Sequence, residues 1–87
     1  MYLVYILYSQ STEKYYVGFT NDLNRRISEH NRRKGKYTDI GIPWRIVYSE
    51  TYQDKLEAMK REKEIKKKKS RQYIQMLISS SAGRAFR

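Results

Sequence analysis

Glu62 follows Ala58 by four residues and Met59 by three, and precedes Ile65 by three. At helical spacing it therefore shares their inward face. A carboxylate on a core-facing stripe costs free energy unless it is paired or bound to a cation, so Glu62 is either a functional acid or half of an ion pair with Arg26 or a lysine. Arg26 and His30 are four residues apart, one turn on the same helical face, where both can reach one phosphate. The guanidinium offers a bidentate fork and the imidazole a hydrogen bond or a proton transfer. The alternative is an arginine and a histidine at the edge of a core. Tyr5 and Tyr16 fall on segments that read as neighbouring strands, and two phenols meeting at one point of a sheet could position a phosphate or a water. With nine tyrosines in the chain, packing is the commoner fate of such a pair. Gly18, inside a strand-like run, marks a close approach of backbone or ligand.

The elements that must carry these groups follow from periodicity. Tyr2 to Tyr8 (YLVYILY) is a β-branched and aromatic run too short for a typical helix, which predicts a central strand buried on both sides. The polar stretch Ser9 to Lys14 has hairpin length, and Tyr15 to Thr20 (YYVGFT) predicts an antiparallel partner. Asn21 or Asp22 caps a helix whose apolar face holds Leu23, Arg26, Ile27 and His30, with Arg25 and Glu29 on another face. A basic, glycine-containing loop over residues 31–43 leads to a third strand, Trp44 to Glu50, with apolar alternation at Trp44, Ile46 and Tyr48. Asp54 caps a helix from Lys55 to Lys69 with apolar positions Leu56, Ala58, Met59 and Ile65. Ser70 opens a third helix through Tyr73, Ile74, Leu77 and Ile78. The expected fold is α+β, a small three-stranded antiparallel sheet flanked by about three helices in the order β-β-α-β-α-α. One domain is expected over residues 1–78, with a flexible C-terminal tail over residues 79–87.

Composition narrows the partners. Eighty-seven residues allow one compact core, and a formal net charge of +10 attracts polyanions, so nucleic acid is the first partner to consider. Arg32, Arg33, Lys34 and Lys36, together with Lys60, Lys66 and Lys67, are the expected phosphate contacts; their alternative is a solvated charged face. A membrane-surface role would need a long amphipathic helix, and no apolar run approaches the length of a bilayer span, so a cytoplasmic location is expected. The absence of cysteine rules out disulfides and thiolate chemistry, and a single histidine argues against structural zinc.

Taken in order, Leu3-Val4-Tyr5 and Tyr16-Val17-Gly18 resemble the paired signatures of GIY-YIG nucleases. Arg26, ten residues after Tyr16, falls where that family carries its catalytic arginine. His30 resembles a histidine one turn later in one branch, and EAMKRE (Glu57 to Glu62) is similar to the helix whose last glutamate binds the metal. The resemblance runs from about Tyr2 to Leu77, and selects Glu62 over Glu57 as the helical face does. Leu3 departs from the family glycine, and a late asparagine of some branches has no counterpart here. The chain most resembles the short single-domain branch, similar to the N-terminal nuclease module of bacterial excision repair.

The resemblance implies a metal-dependent endonuclease that hydrolyses nucleic-acid phosphodiesters in repair or processing, acting on DNA in preference to RNA, alone or in a larger repair assembly. Glu62 would hold one Mg²⁺ or Mn²⁺, Arg26 would clamp the phosphate, and Tyr16, linked to His30, would orient or deprotonate the water, with Tyr5 in support. A free phenol ionises near pH ~10, so a tyrosine base needs positive charge beside it. The competing expectation is a module that binds DNA or RNA without cutting, or a nuclease subunit active only with a partner.

Overall fold

The computed structural model describes residues 1–35, 37–68 and 70–80. Strand β1 (Tyr2–Ser9) lies at the centre of a three-stranded sheet in the order β2-β1-β3, antiparallel to both β2 (Lys14–Thr20) and β3 (Trp44–Tyr52). Its continuous apolar run is explained by that place. Val4 and Ile6 enter one core with Val17, Tyr48, Ala58, Ile65 and Leu77, whereas Tyr5 and Leu7 enter a second with Trp44. Successive residues of a strand face opposite sides, so a central strand covered on both faces has no polar position to spare.

Helices α2 (Lys55–Lys68) and α3 (Arg71–Ser80) cover the first face. Helix α1 (Leu23–His30) and a short 3-10 helix (Tyr37–Gly41) flank the second, where Leu23 and Ile27 pack on the Tyr5 cluster. The caps are those expected from residue type. The Asp22 side chain accepts from Arg25 N at 3.1 Å, Asp54 from Leu56 N at 3.1 Å, and the Ser70 hydroxyl from Tyr73 N at 3.0 Å. Helix α3 runs through Ser80, beyond the expected Ile78, and the Ser80 hydroxyl donates to the Leu77 carbonyl at 3.0 Å. The rest of the expected tail, residues 81–87, lies outside the described residues, as do Lys36 and Lys69.

Two expectations are corrected. Trp44, Ile46 and Tyr48 do not share a face: Leu7 pairs with Ile46 and Ile6 with Tyr48, so Val47 is an extra residue on β3. This bulge turns Tyr48 and Val47 to the α2 side while Trp44 and Ile46 stay with Tyr5. Leu56 is 63% exposed. At 100° per residue it lies about 160° around α2 from Ala58, on the face away from the sheet.

Behind the bulge lies a polar network that periodicity does not reveal. Arg61 donates to both Glu50 oxygens, at 2.9 and 3.0 Å, Tyr52 donates to Glu50 at 2.7 Å, and Tyr48 donates to the same carboxylate. Arg61 also reaches Glu64 at 2.6 Å and the Tyr73 hydroxyl at 3.1 Å, which ties β3, α2 and α3 together. Burial pushes the Glu50 carboxyl up, but the hydrogen bonds from Arg61, Tyr48 and Tyr52 outweigh it and hold the group below the usual carboxylate range.

Candidate active site

The site begins at a missing side chain. Tyr5 pairs with Gly18 across the β1–β2 ladder, and a Cβ on Gly18 would sit 2.5 Å from the Tyr5 hydroxyl. The phenol of Tyr5 therefore crosses β2 over bare backbone, which is why this strand tolerates a glycine that otherwise weakens it. Tyr16 pairs with Leu7, two positions along, so both phenols lie on the α1 face of the sheet.

His30, in the last turn of α1, joins them. Its Nε2 is 3.5 Å from the Tyr5 hydroxyl, a long and weak hydrogen bond, and its ring meets that of Tyr16 edge to face with centroids 4.5 Å apart. The Trp44 indole stands behind both, 6.3 Å from Tyr16 and 6.4 Å from His30. The link expected between Tyr16 and His30 is thus a ring contact, and the hydrogen bond runs to Tyr5. Asn31, just past α1, fixes the mouth of the site: it accepts from Trp44 N at 2.6 Å and donates to Trp44 O at 3.0 Å.

Arg26 lies one turn before His30 and bonds Glu29 at 3.2 Å, with both side chains partly exposed. Glu29 was expected on another face; the three-residue step lets its carboxylate reach back along the helix. Glu62 faces inward as its spacing predicts, with its side chain 15% exposed, and its partner is Lys66 at 3.2 Å. The ion-pair alternative for Glu62 is therefore realised with a lysine and not with Arg26.

Burial pushes the Tyr5 phenol well above its ordinary range; Tyr16 adds to the rise, Arg26 opposes it, and Glu62 and Glu29 add further. Residues from β2, α1 and α2 are thus all close enough to act on one hydroxyl of β1. Burial lowers His30 below the usual histidine value, and the positive charges of Lys34 and Arg26 lower it further against Glu29. His30 is accordingly a neutral imidazole at neutral pH.

Among the described residues no group of three or more His, Asp or Glu side chains could cage a metal ion. A single inward carboxylate nonetheless fits a hard cation that keeps several waters and completes its shell with phosphate oxygens. Glu62 is such a donor, once Lys66 yields its place.

The basic residues divide into groups. Lys34 is near enough to act on His30, and Arg32 and Arg33 are exposed beside it. Lys60 and Lys67 line a separate groove shared with Glu57 and Glu64, and Lys66 is engaged by Glu62. A polar groove of about 330 Å³ next to Arg26 is lined by Asn21, Arg25 and Lys55, which the sequence reading did not single out. Their signal was the presence of two cations, Arg25 and Lys55, at the starts of the two expected helices.

Residues 1–75 match the family described as the GIY-YIG catalytic domain. A UPF0213 protein of Staphylococcus epidermidis is 48% identical over 63 residues, covering 71% of this chain and 77% of that protein. A UPF0213 protein of Staphylococcus aureus is 50% identical over 52 residues, covering 59% of this chain and 63% of its own length. The solution NMR structure of a UPF0213 protein from Bacillus halodurans superposes with a TM-score of 0.59 at 32% identity, covering 95% of this chain and 88% of that one. Its agreement with the β-β-α-β-α-α order, together with the family match over most of the chain, places this protein in the GIY-YIG catalytic-domain family.

Proposed function

We propose that the protein is a metal-dependent endonuclease that hydrolyses phosphodiester bonds in nucleic acid, with DNA as its main substrate. The observation that carries this reading is the contact of Tyr5, Tyr16 and His30, from three separate elements, with Arg26 one turn before His30 and the charges of Arg26 and Glu62 acting on the Tyr5 hydroxyl. A module that only binds a polyanion has no use for an inward glutamate or for a histidine kept neutral.

Each side chain has a role suited to its environment. Arg26 exchanges its surface partner Glu29 for a phosphate, to which a guanidinium bonds through two N–H groups. Tyr5 stays protonated, so its hydroxyl acts as a donor toward a phosphate oxygen and not as a base. Tyr16 is 36% exposed and meets solvent at the mouth of the cluster, where its hydroxyl orients the attacking water. The neutral His30 imidazole beside it takes up the proton. Glu62 would hold Mg²⁺ or Mn²⁺, which when bound supplies Lewis-acid stabilisation of charge developing on the phosphate.

End-labelled DNA and matched RNA, incubated with Mg²⁺, Mn²⁺ or EDTA, test the reading. Cutting should require the cation and fall by at least about 10²-fold in Glu62→Gln, a magnitude typical of losing electrostatic stabilisation at the reacting phosphate. DNA affinity measured in EDTA should be largely retained. Binding without cutting under every cation condition would replace the nuclease with a binding module.

A further inference from the structure

Against Tyr16 the chain builds a cavity, without Arg26 among its lining residues, that the proposed phosphate chemistry does not use. It measures about 130 Å³, is almost wholly apolar, and is lined by Tyr16, Tyr37, Ile40 and Trp44, with Lys14 and Thr12 at its edge. Tyr37 and Ile40 are 71% and 60% exposed, unusual for large apolar side chains placed together on a protein with a charge of +10. The wall is held in place: Ser11 Oγ donates to the Ile40 carbonyl at 3.2 Å, and Lys14 Nζ donates to the Tyr37 hydroxyl at 3.0 Å. The Thr12 hydroxyl beside the cavity is buried and has no hydrogen-bond partner among the described residues.

The geometry points to a binding site for one unstacked nucleobase of the substrate strand, next to the phosphate held at Arg26. A planar, apolar-faced ring matches the aromatic walls, and Lys14 among the lining residues matches the phosphate that such a ring carries in a strand. The cavity is smaller than the pockets of roughly 300 to 1,000 Å³ that take drug-sized ligands, which favours a single ring system. Tyr16 and Trp44 join the two sites directly, because both also contact His30. A base inside a continuous duplex keeps its stacking partners, so this site selects single strands, loops or bases swung out of a helix. The inference rests on the nuclease reading for the position of the phosphate, but not for the ring contacts.

Binding of a short oligothymidylate is compared with that of an abasic deoxyribose-phosphate chain of equal length and charge. Affinities are read by anisotropy in EDTA, and cleavage of the same oligothymidylate is read separately in Mg²⁺. The base-bearing strand should bind roughly 5- to 150-fold tighter, the range for one base–aromatic stack. Tyr37→Ala combined with Ile40→Ala removes only exposed side chains; it should abolish the difference while the variant still binds the abasic chain. Equal affinities for the two strands, no binding of either, or a difference that survives in the double variant would overturn the base site. Base-dependent binding without cutting would support the base site and overturn the nuclease; cutting without base-dependent binding would do the reverse.

Discussion

Gly18 and Tyr5 form one unit of the site, since the phenol occupies the volume that any larger residue at position 18 would need. Gly18→Ala must displace the Tyr5 hydroxyl, at a cost of about 1–3 kcal/mol for overpacking, and with it the contact to His30. We expect a lowered urea midpoint together with a loss of cleavage greater than the loss of stability explains. His30 gives a second prediction at this scale. Its folded value lies below the usual ~6.5, so the unfolded chain binds more protons as pH falls through that value. Its contribution to stability is therefore fully present above about pH 6.5 and is lost as pH falls through the lowered folded value. Urea midpoints measured from pH 7.5 to pH 5 should decline in the wild type and decline less in His30→Gln. An equal decline in both proteins would show that other groups carry the titration.

At the level of elements, the order of strands and helices was legible in the sequence because each segment has a single periodicity: a two-sided apolar run in β1, a capped amphipathic stretch in α1, and Ala58 and Ile65 on one side of α2. Glu62 was legible for the same reason, as a charge falling within an apolar stripe. The bulge at Val47 was not, since apolar residues stand on both sides of it and the alternation reads smoothly through Tyr48. Nor were the partners of Glu50 and Arg61, or the turning of Glu29 toward Arg26, because side-chain reach across elements has no period. The loop over residues 31–43 hid both its 3-10 helix and the clip between Asn31 and Trp44. That clip seats the start of β3 against the end of α1, which sets the distance between Trp44 and His30. Asn31→Ala removes two hydrogen bonds, each worth about 0.5–1.5 kcal/mol. It should lower stability by about 2 kcal/mol and raise amide exchange at Trp44 before it does so at β1; unchanged exchange at Trp44 would mean the clip does not hold the strand.

For the whole molecule, the charge of +10 is distributed unevenly, and the distribution would set where a polyanion docks. Arg25 and Lys55 line a groove with Arg26 in which no acidic residue takes part, while Lys60 and Lys67 share theirs with Glu57 and Glu64. Opposite charges within a Debye length, roughly 8–10 Å, partly cancel, and the groove of Arg25, Arg26 and Lys55 offers its cations with no carboxylate among its lining residues. On the nuclease reading, a strand would dock along the groove of Arg25, Arg26 and Lys55. Each phosphate neutralised adds about 0.7 to the slope of log affinity against log salt on a single strand and about 0.9 on a duplex. The pair Arg25→Ala and Lys55→Ala should therefore reduce the single-strand slope by about 1.4. The pair Lys60→Ala and Lys67→Ala should change it less, because Glu57 and Glu64 line the same groove. A slope that drops equally for both pairs would place the nucleic acid across α2 as well, and the strand would then wrap the sheet instead of crossing one side of it.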